Sequence, residues 1–131
     1  MSVTSFLHLS EPGGGEFDTE TFCKEIARKY PGTDTEQSHR EALSYDLVWS
    51  RYSECLQFEL RLDRTRRTLA VEYFNSADRI RDYANLILWI RQYFPKEQEV
   101  VLVDENNEAQ MPLSTETATA DIEAWISRVG I

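Results

Sequence analysis

The run 75–94, NSADRIRDYANLILWIRQYF, constrains this chain most, because it writes two apolar stripes onto one helix. Ile80, Tyr83, Ala84, Ile87, Ile90 and Phe94 recur at helical spacing and predict a core-facing strip. At about 100° per residue, Leu86, Trp89 and Tyr93 fall on another side, with Trp89 nearly opposite Ile80. A helix laid on one sheet needs only the first stripe. The second must be covered by another part of the chain or by a partner, which makes Leu86, Trp89 and Tyr93 candidate partner-binding residues.

A second pattern lies just upstream. Leu56, Phe58, Leu60 and Leu62 alternate with Gln57, Glu59, Arg61 and Asp63, the period of a half-buried strand. Residues 64–68 turn the chain, and Leu69, Val71 and Tyr73 resume the alternation, so these seven apolar residues are expected in the core. Glu59 and Glu72 should face each other on the outer side of this hairpin, beside Arg61. Asn75 or Ser76 is expected to cap the long helix, and Pro95 to stop it.

Around these two anchors the remaining elements follow. Residues 3–9 read as a strand, and Glu11-Pro12-Gly13-Gly14-Gly15 as a breaker-rich loop. A helix over 19–30 is capped by Asp18, with Phe17 and Phe22 at staple positions, and Pro31-Gly32 ends it. Its buried face is Phe22, Cys23, Ile26, Ala27 and Tyr30. Residues 33–44 read as a polar loop and 47–49 as a short extra strand. The continuous run 100–103 predicts a strand covered on both faces. Asn106-Asn107 turns the chain, 109–113 pairs back, and a last helix over 116–129 buries Ile122, Trp125, Ile126 and Val129. The chain is thus expected to form a single α+β domain over residues 1–131. Its sheet should be antiparallel or mixed, with about 4–6 strands in a ferredoxin-like (split βαβ) order and an additional C-terminal helix.

The charge pattern narrows the partner classes. Residues 1–50 carry nine acids and four bases, residues 51–95 six acids and eight bases, and residues 96–131 eight acids and two bases, for a net charge of −9. Binding to a phosphate backbone needs clustered Lys and Arg, so nucleic acid is not the expected partner. A basic protein is, since opposite charge would steer and accelerate its encounter. The longest apolar run, LILWI, falls far short of the roughly 20 residues that span a bilayer, so no membrane association is expected. The start, MSVTSFLHLSEPGGG, lacks a basic n-region and a long apolar h-region and does not read as a signal peptide. Cys23 and Cys55 have no CxxC or zinc spacing and read as reduced, mostly buried thiols of a cytoplasmic protein.

Motifs that carry chemistry are weak. Gly13-Gly14-Gly15 precedes a helix, but neither GxGxxG nor GK[ST] is present, and Glu16, Asp18 and Glu20 would oppose a phosphate. His39 lies among Asp34, Glu36 and Glu41 without fixed ligand geometry, and His8 alternates within a strand. No serine sits in a GxSxG elbow and neither cysteine has a nucleophile's signature, so no catalytic, metal or cofactor residues are assigned. Arg64, Arg66 and Arg67 form the one basic cluster, at a hairpin tip, and Asp104, Glu105 and Glu108 lead the acidic final third. Both sets join Leu86, Trp89 and Tyr93 as candidate partner-binding residues. The resulting expectation is a non-enzymatic, cytoplasmic protein-binding module. In its most concrete form it is an acidic inhibitor, or bacterial immunity-type factor, that neutralises a basic protein such as a toxin. The alternatives are a homodimeric structural or regulatory domain built on the Trp89 stripe, or a small enzyme without a recognisable motif.

Overall fold

The computed structural model describes residues 4–10 and 15–129. Ten elements follow in order: β1 (Ser5–Leu9), α1 (Thr19–Lys29), β2 (Asp34–Gln37), β3 (Tyr45–Tyr52), β4 (Leu56–Asp63), β5 (Thr68–Ser76), α2 (Arg79–Arg91), β6 (Val100–Asp104), β7 (Gln110–Leu113) and α3 (Thr119–Arg128). The strands form one seven-stranded antiparallel sheet in the order β2-β3-β4-β5-β1-β6-β7. The fold is therefore α+β with the added C-terminal helix. The expectation of about 4–6 strands in a ferredoxin-like order is corrected: β2 and β3 extend the sheet beyond β4, and β7 extends it beyond β6. Within that longer order, β4, β5, β1 and β6 remain consecutive neighbours. Val3 and the 11–14 part of the glycine loop lie outside the described residues.

Local chemistry explains where each element begins and ends. The Asp18 carboxylate accepts the Thr21 N–H at 3.3 Å, and the Phe17 and Phe22 rings meet edge-on at 5.0 Å, so cap and staple both form at α1. Gly32 follows that helix at φ +91°, a conformation side chains rarely adopt. Neither Asn75 nor Ser76 caps α2, because β5 still pairs through Asn75↔Gln57 and Ser76↔Leu56. The helix starts after Asp78, whose side chain makes no capping bond. Ile80, placed in the core strip by its spacing, is 39% exposed in that first turn. Ala27 is exposed too, as is Cys55 in the β3–β4 turn, while Cys23 is half-buried. β2 was hidden in the sequence because its residues, DTEQ, are all exposed and carry no alternation.

One bulge resets the hairpin. Leu60 pairs with Val71 but Glu59 pairs with Tyr73, so Glu72 is an extra residue on β5. Leu69, Val71 and Phe74 consequently face the core, and Tyr73 does not. The expectation that Tyr73 would be a core residue fails for that reason alone.

All three helices gather on one face of the sheet. Phe22 of α1 meets Trp49 of β3 at 4.8 Å, Tyr30 meets Phe58 of β4 at 5.5 Å, and Tyr83 of α2 meets Phe74 of β5 at 5.7 Å. The Tyr83 hydroxyl also hydrogen-bonds buried Ser5 at 2.5 Å. α3 packs beside α2 and buries Ile122, Trp125 and Ile126 in the same core. The register carries a row of apolar residues across this face, from Leu47 through Leu62, Leu69, Leu7 and Leu102 to Met111. Among the described residues no helix is long and apolar enough to cross a membrane.

Candidate functional site

The opposite face of the sheet has no helix on it among the described residues, and strand register gives its layout. One residue from each strand lines up across the whole width: Glu36, Val48, Arg61, Ala70, Phe6, Val103 and Gln110. The middle of this row is apolar, with Phe6 half-buried and Ala70 and Val103 each 8% exposed. At one end lies a polar aromatic set. Arg61 bonds Glu59 at 2.9 Å, approaches Glu72 at 4.0 Å and stacks 4.6 Å over the Tyr45 ring. The Tyr73 hydroxyl bonds Gln57 at 3.4 Å, and Tyr52, 66% exposed, reaches Glu59 at 3.5 Å. The bulge that removes Tyr73 from the core is what adds it to this surface.

At the other end a cavity of about 200 Å³ opens over Phe6 and Val103. His8 and Thr68, joined by a 2.7 Å Nδ1–Oγ1 hydrogen bond, close one side, and Asp104, Glu105 and Asn107 of the β6–β7 turn close the other. Asp104 Oδ1 accepts the Glu108 N–H at 2.7 Å and the Ala109 N–H at 3.0 Å, which fixes the turn. Asn107 completes it at φ +57°, a region asparagine tolerates well.

The two charged turns singled out in the sequence are used differently. In the β4–β5 turn, Arg64 donates to the carbonyl oxygens of Leu43, at 2.9 Å, and of Arg40. Arg66, at φ +63°, grips the Asp46 carboxylate with both terminal nitrogens, and Arg67 donates to the Leu9 carbonyl at 2.8 Å. Asp46 is almost fully buried, sent inward by a bulge between Tyr45 and Leu47. These arginines tie the turn to β3, to β1 and to the 40–43 segment. Asp104, Glu105 and Glu108, by contrast, have no ion-pair partner among the described residues, and Glu105 and Glu108 are exposed.

The second stripe of α2 is covered from within the chain, and its aromatic residues Trp89 and Tyr93 meet Phe22 of α1. Leu86 is fully buried, and the Trp89 ring lies 5.2 Å from Phe22, 5.6 Å from Tyr30 and 5.0 Å from Tyr93. Periodicity alone does not say which flank of α2 each neighbour takes. Burial pushes the Tyr30 hydroxyl up to about 12, with the Asp82 charge adding to it, and raises Tyr93 as well, helped by Glu25 and Asp18. Trp89 and Tyr93 stay half-buried, and Trp89 borders a groove of about 460 Å³ with Tyr30, Leu56, Leu88 and polar Lys29, Asp82, Asn85 and Gln92.

Arg91 is the functional-looking residue that sequence reasoning passed over. Only 1% exposed, it donates to the carbonyl oxygens of Leu113 (2.8 Å), Phe94 (3.4 Å), Pro95 (3.3 Å), Lys96 (3.4 Å) and Gln98 (3.0 Å). Burial lowers its pKa, and the carbonyl ends of α2 favour the cation. The guanidinium's five N–H donors thus pin the α2–β6 connection to β7, a structural task. Its only trace in the sequence is its place beside Ile90 in an otherwise apolar run.

No group of three or more His, Cys, Asp or Glu residues among the described residues is placed to hold a metal ion. Comparison with known protein families, with curated proteins and with solved structures finds no match to this chain.

Proposed function

We propose that this chain is a non-enzymatic protein-binding module, an acidic inhibitor or immunity-type factor that neutralises a basic protein partner, and that it binds through the bare face of its sheet. The observation that carries the reading is the row from Glu36 to Gln110, apolar at its centre, with tyrosines at one end and acids without cations at the other. Tyr and Arg are enriched where protein interfaces concentrate their energy, and Tyr45, Tyr52, Tyr73 and Arg61 stand together here. Strands spaced about 4.8 Å apart and about 17 Å long give this face roughly 500 Å² before side-chain relief. That is the larger part of the roughly 800 Å² each partner buries in a standard interface. The net charge of −9 favours a basic partner and a fast encounter.

The test is capture of partners from a lysate of the source cells, followed by sizing of the complex, for the native chain and for a Tyr73→Ala/Tyr52→Ala variant. A single basic partner, bound less well by the variant and released by salt, is the expected result. A partner indifferent to both substitutions removes the sheet face from the account. The homodimer is the second reading, favoured by Trp89 lying half-buried at the edge of a groove. In the same sizing run it predicts a dimer of the free chain.

A further inference from the structure

We infer that the cavity over Phe6 and Val103 is an anchor pocket for one lysine or arginine side chain of the partner. The inference rests on the reading of the sheet face as the binding surface and assigns that surface its specificity. Size is the first argument. At about 200 Å³ the cavity is below the roughly 300–1,000 Å³ of sites that enclose a small-molecule ligand, and suits a single long side chain. Its chemistry is the second. Phe6 and Val103 offer an apolar floor to a methylene stem, and Asp104 and exposed Glu105 of the β6–β7 turn are the acidic residues that border it. Lysine and arginine divide themselves in this way, stem on apolar surface and charge at the polar rim.

Charge complementarity is the third argument. Among the described residues six acids are ion-paired: Glu59 and Glu72 share Arg61, Asp46 holds Arg66, and Glu20, Glu25 and Asp78 have basic neighbours one helical turn away. Asp104 and Glu105, like most of the other acids, have no such neighbour among the described residues; what sets them apart is that they border a cavity with an apolar floor. Asp104 spends Oδ1 on two backbone N–H groups, and among the described residues no hydrogen bond engages its Oδ2. On the opposite side the Thr68 hydroxyl holds the His8 ring in place, so the walls are set before a ligand enters. A pre-formed pocket loses little freedom on binding.

The experiment needs no natural partner. Backbone amide shifts of the full chain are followed during titration with N-acetyl-arginine amide and N-acetyl-lysine amide, with N-acetyl-norleucine amide as the uncharged counterpart. The expected result is saturable shifts centred on Phe6, His8, Val103 and Asp104 for one or both cations, and none for norleucine. Glu105→Gln, a change on an exposed residue, should weaken this binding about three- to tenfold. Asp104→Asn should do the same while keeping an oxygen for the turn. No saturable shift up to the solubility limit, equal shifts with norleucine, or shifts spread over all the acidic residues would each overturn the pocket. Failure of the broader reading looks different: the amino-acid derivatives still bind here, yet a captured partner ignores Tyr73→Ala/Tyr52→Ala. Conversely, a partner lost with those tyrosines but indifferent to Glu105→Gln leaves the face in place and removes the anchor.

Discussion

The two faces of this sheet are written by alternate residues of the same strands, yet they obey different rules. On the helix side, Trp49, Phe58, Leu60 and Phe74 are fully buried, and the three rings among them meet Phe22, Tyr30 and Tyr83. On the bare side, Arg61 pairs with Glu59 on its own strand and with Glu72 on the next, Tyr73 bonds Gln57 across strands, and these side chains stay half-exposed. Burial against helices removes apolar area from water at about 25 cal/mol per Å², whereas exposed cross-strand pairs contribute a few tenths to one kcal/mol. The covered face holds the fold together. The bare face contributes far less to stability.

Neighbours on one strand give the strongest way to break this contrast. Leu60→Ala should cost about 2–5 kcal/mol, because the site is closed on every side and a cavity remains. Arg61→Ala, one residue on, should cost no more than about 1 kcal/mol, since its ion pairs are a third exposed. Denaturant unfolding of both variants decides the matter. Equal losses would mean that the bare face is structural.

Trp89→Ala comes next. The ring touches Phe22, Tyr30 and Tyr93 but is only half-buried, so the loss should be about 2–3 kcal/mol, below the range for a sealed core aromatic. A melting point unchanged by the substitution would show that α1 does not depend on this stripe, and would return Trp89 to the list of interface residues.

Tyrosine ionisation tests the covered side more gently. Tyr30 on the helix side is raised to about 12, chiefly by burial, and Tyr83 is raised further by the same cause. Their neutral forms are favoured by the fold, so this stabilisation is complete below about pH 10, the ordinary tyrosine value. It is lost as pH rises through the folded values. Phenolate absorbance during an alkaline titration should therefore show Tyr30 ionising late, with stability falling between about pH 10 and 12. A Tyr30 that ionises at the ordinary tyrosine value of about 10 would contradict its burial.

How far the sequence revealed these faces depended on the signal each residue carried. The alternation in β4 was legible because Phe58, Leu60 and Leu62 strictly interleave with polar residues. The bulge at Glu72 left no mark, and Tyr73 was misplaced with it, since tyrosine suits either side of a strand. The polar edge strand β2 was invisible for want of any apolar residue. The second stripe of α2 was legible, but its cover was not, because periodicity describes a helix and not its neighbours. Charge misled in a different way. The turn arginines stood out as a cluster, yet Asp46, twenty residues away from Arg66, decides what that arginine does. The bare face itself emerges only when seven strands are set in order, so no window of sequence could display it.

The smallest expected effect on the fold is also the sharpest test of the bare face as a binding surface. Replacing Asp104, Glu105 and Glu108 by Asn, Gln and Gln removes three charges that have no cation partner among the described residues. Stability should change by no more than about 0.5 kcal/mol, as for surface substitutions generally, since an asparagine oxygen can still accept from the β6–β7 turn. Association with a basic partner should behave otherwise. The rate should fall, and its dependence on salt should flatten, because less charge remains to steer the encounter. Arg64→Ala supplies the opposite control: its guanidinium is held by backbone carbonyls within the chain, so it should loosen the β4–β5 turn and leave the association rate nearly unchanged. If the arginine variant slows association and the acidic triple variant does not, the roles of the two turns are reversed and the partner is acidic.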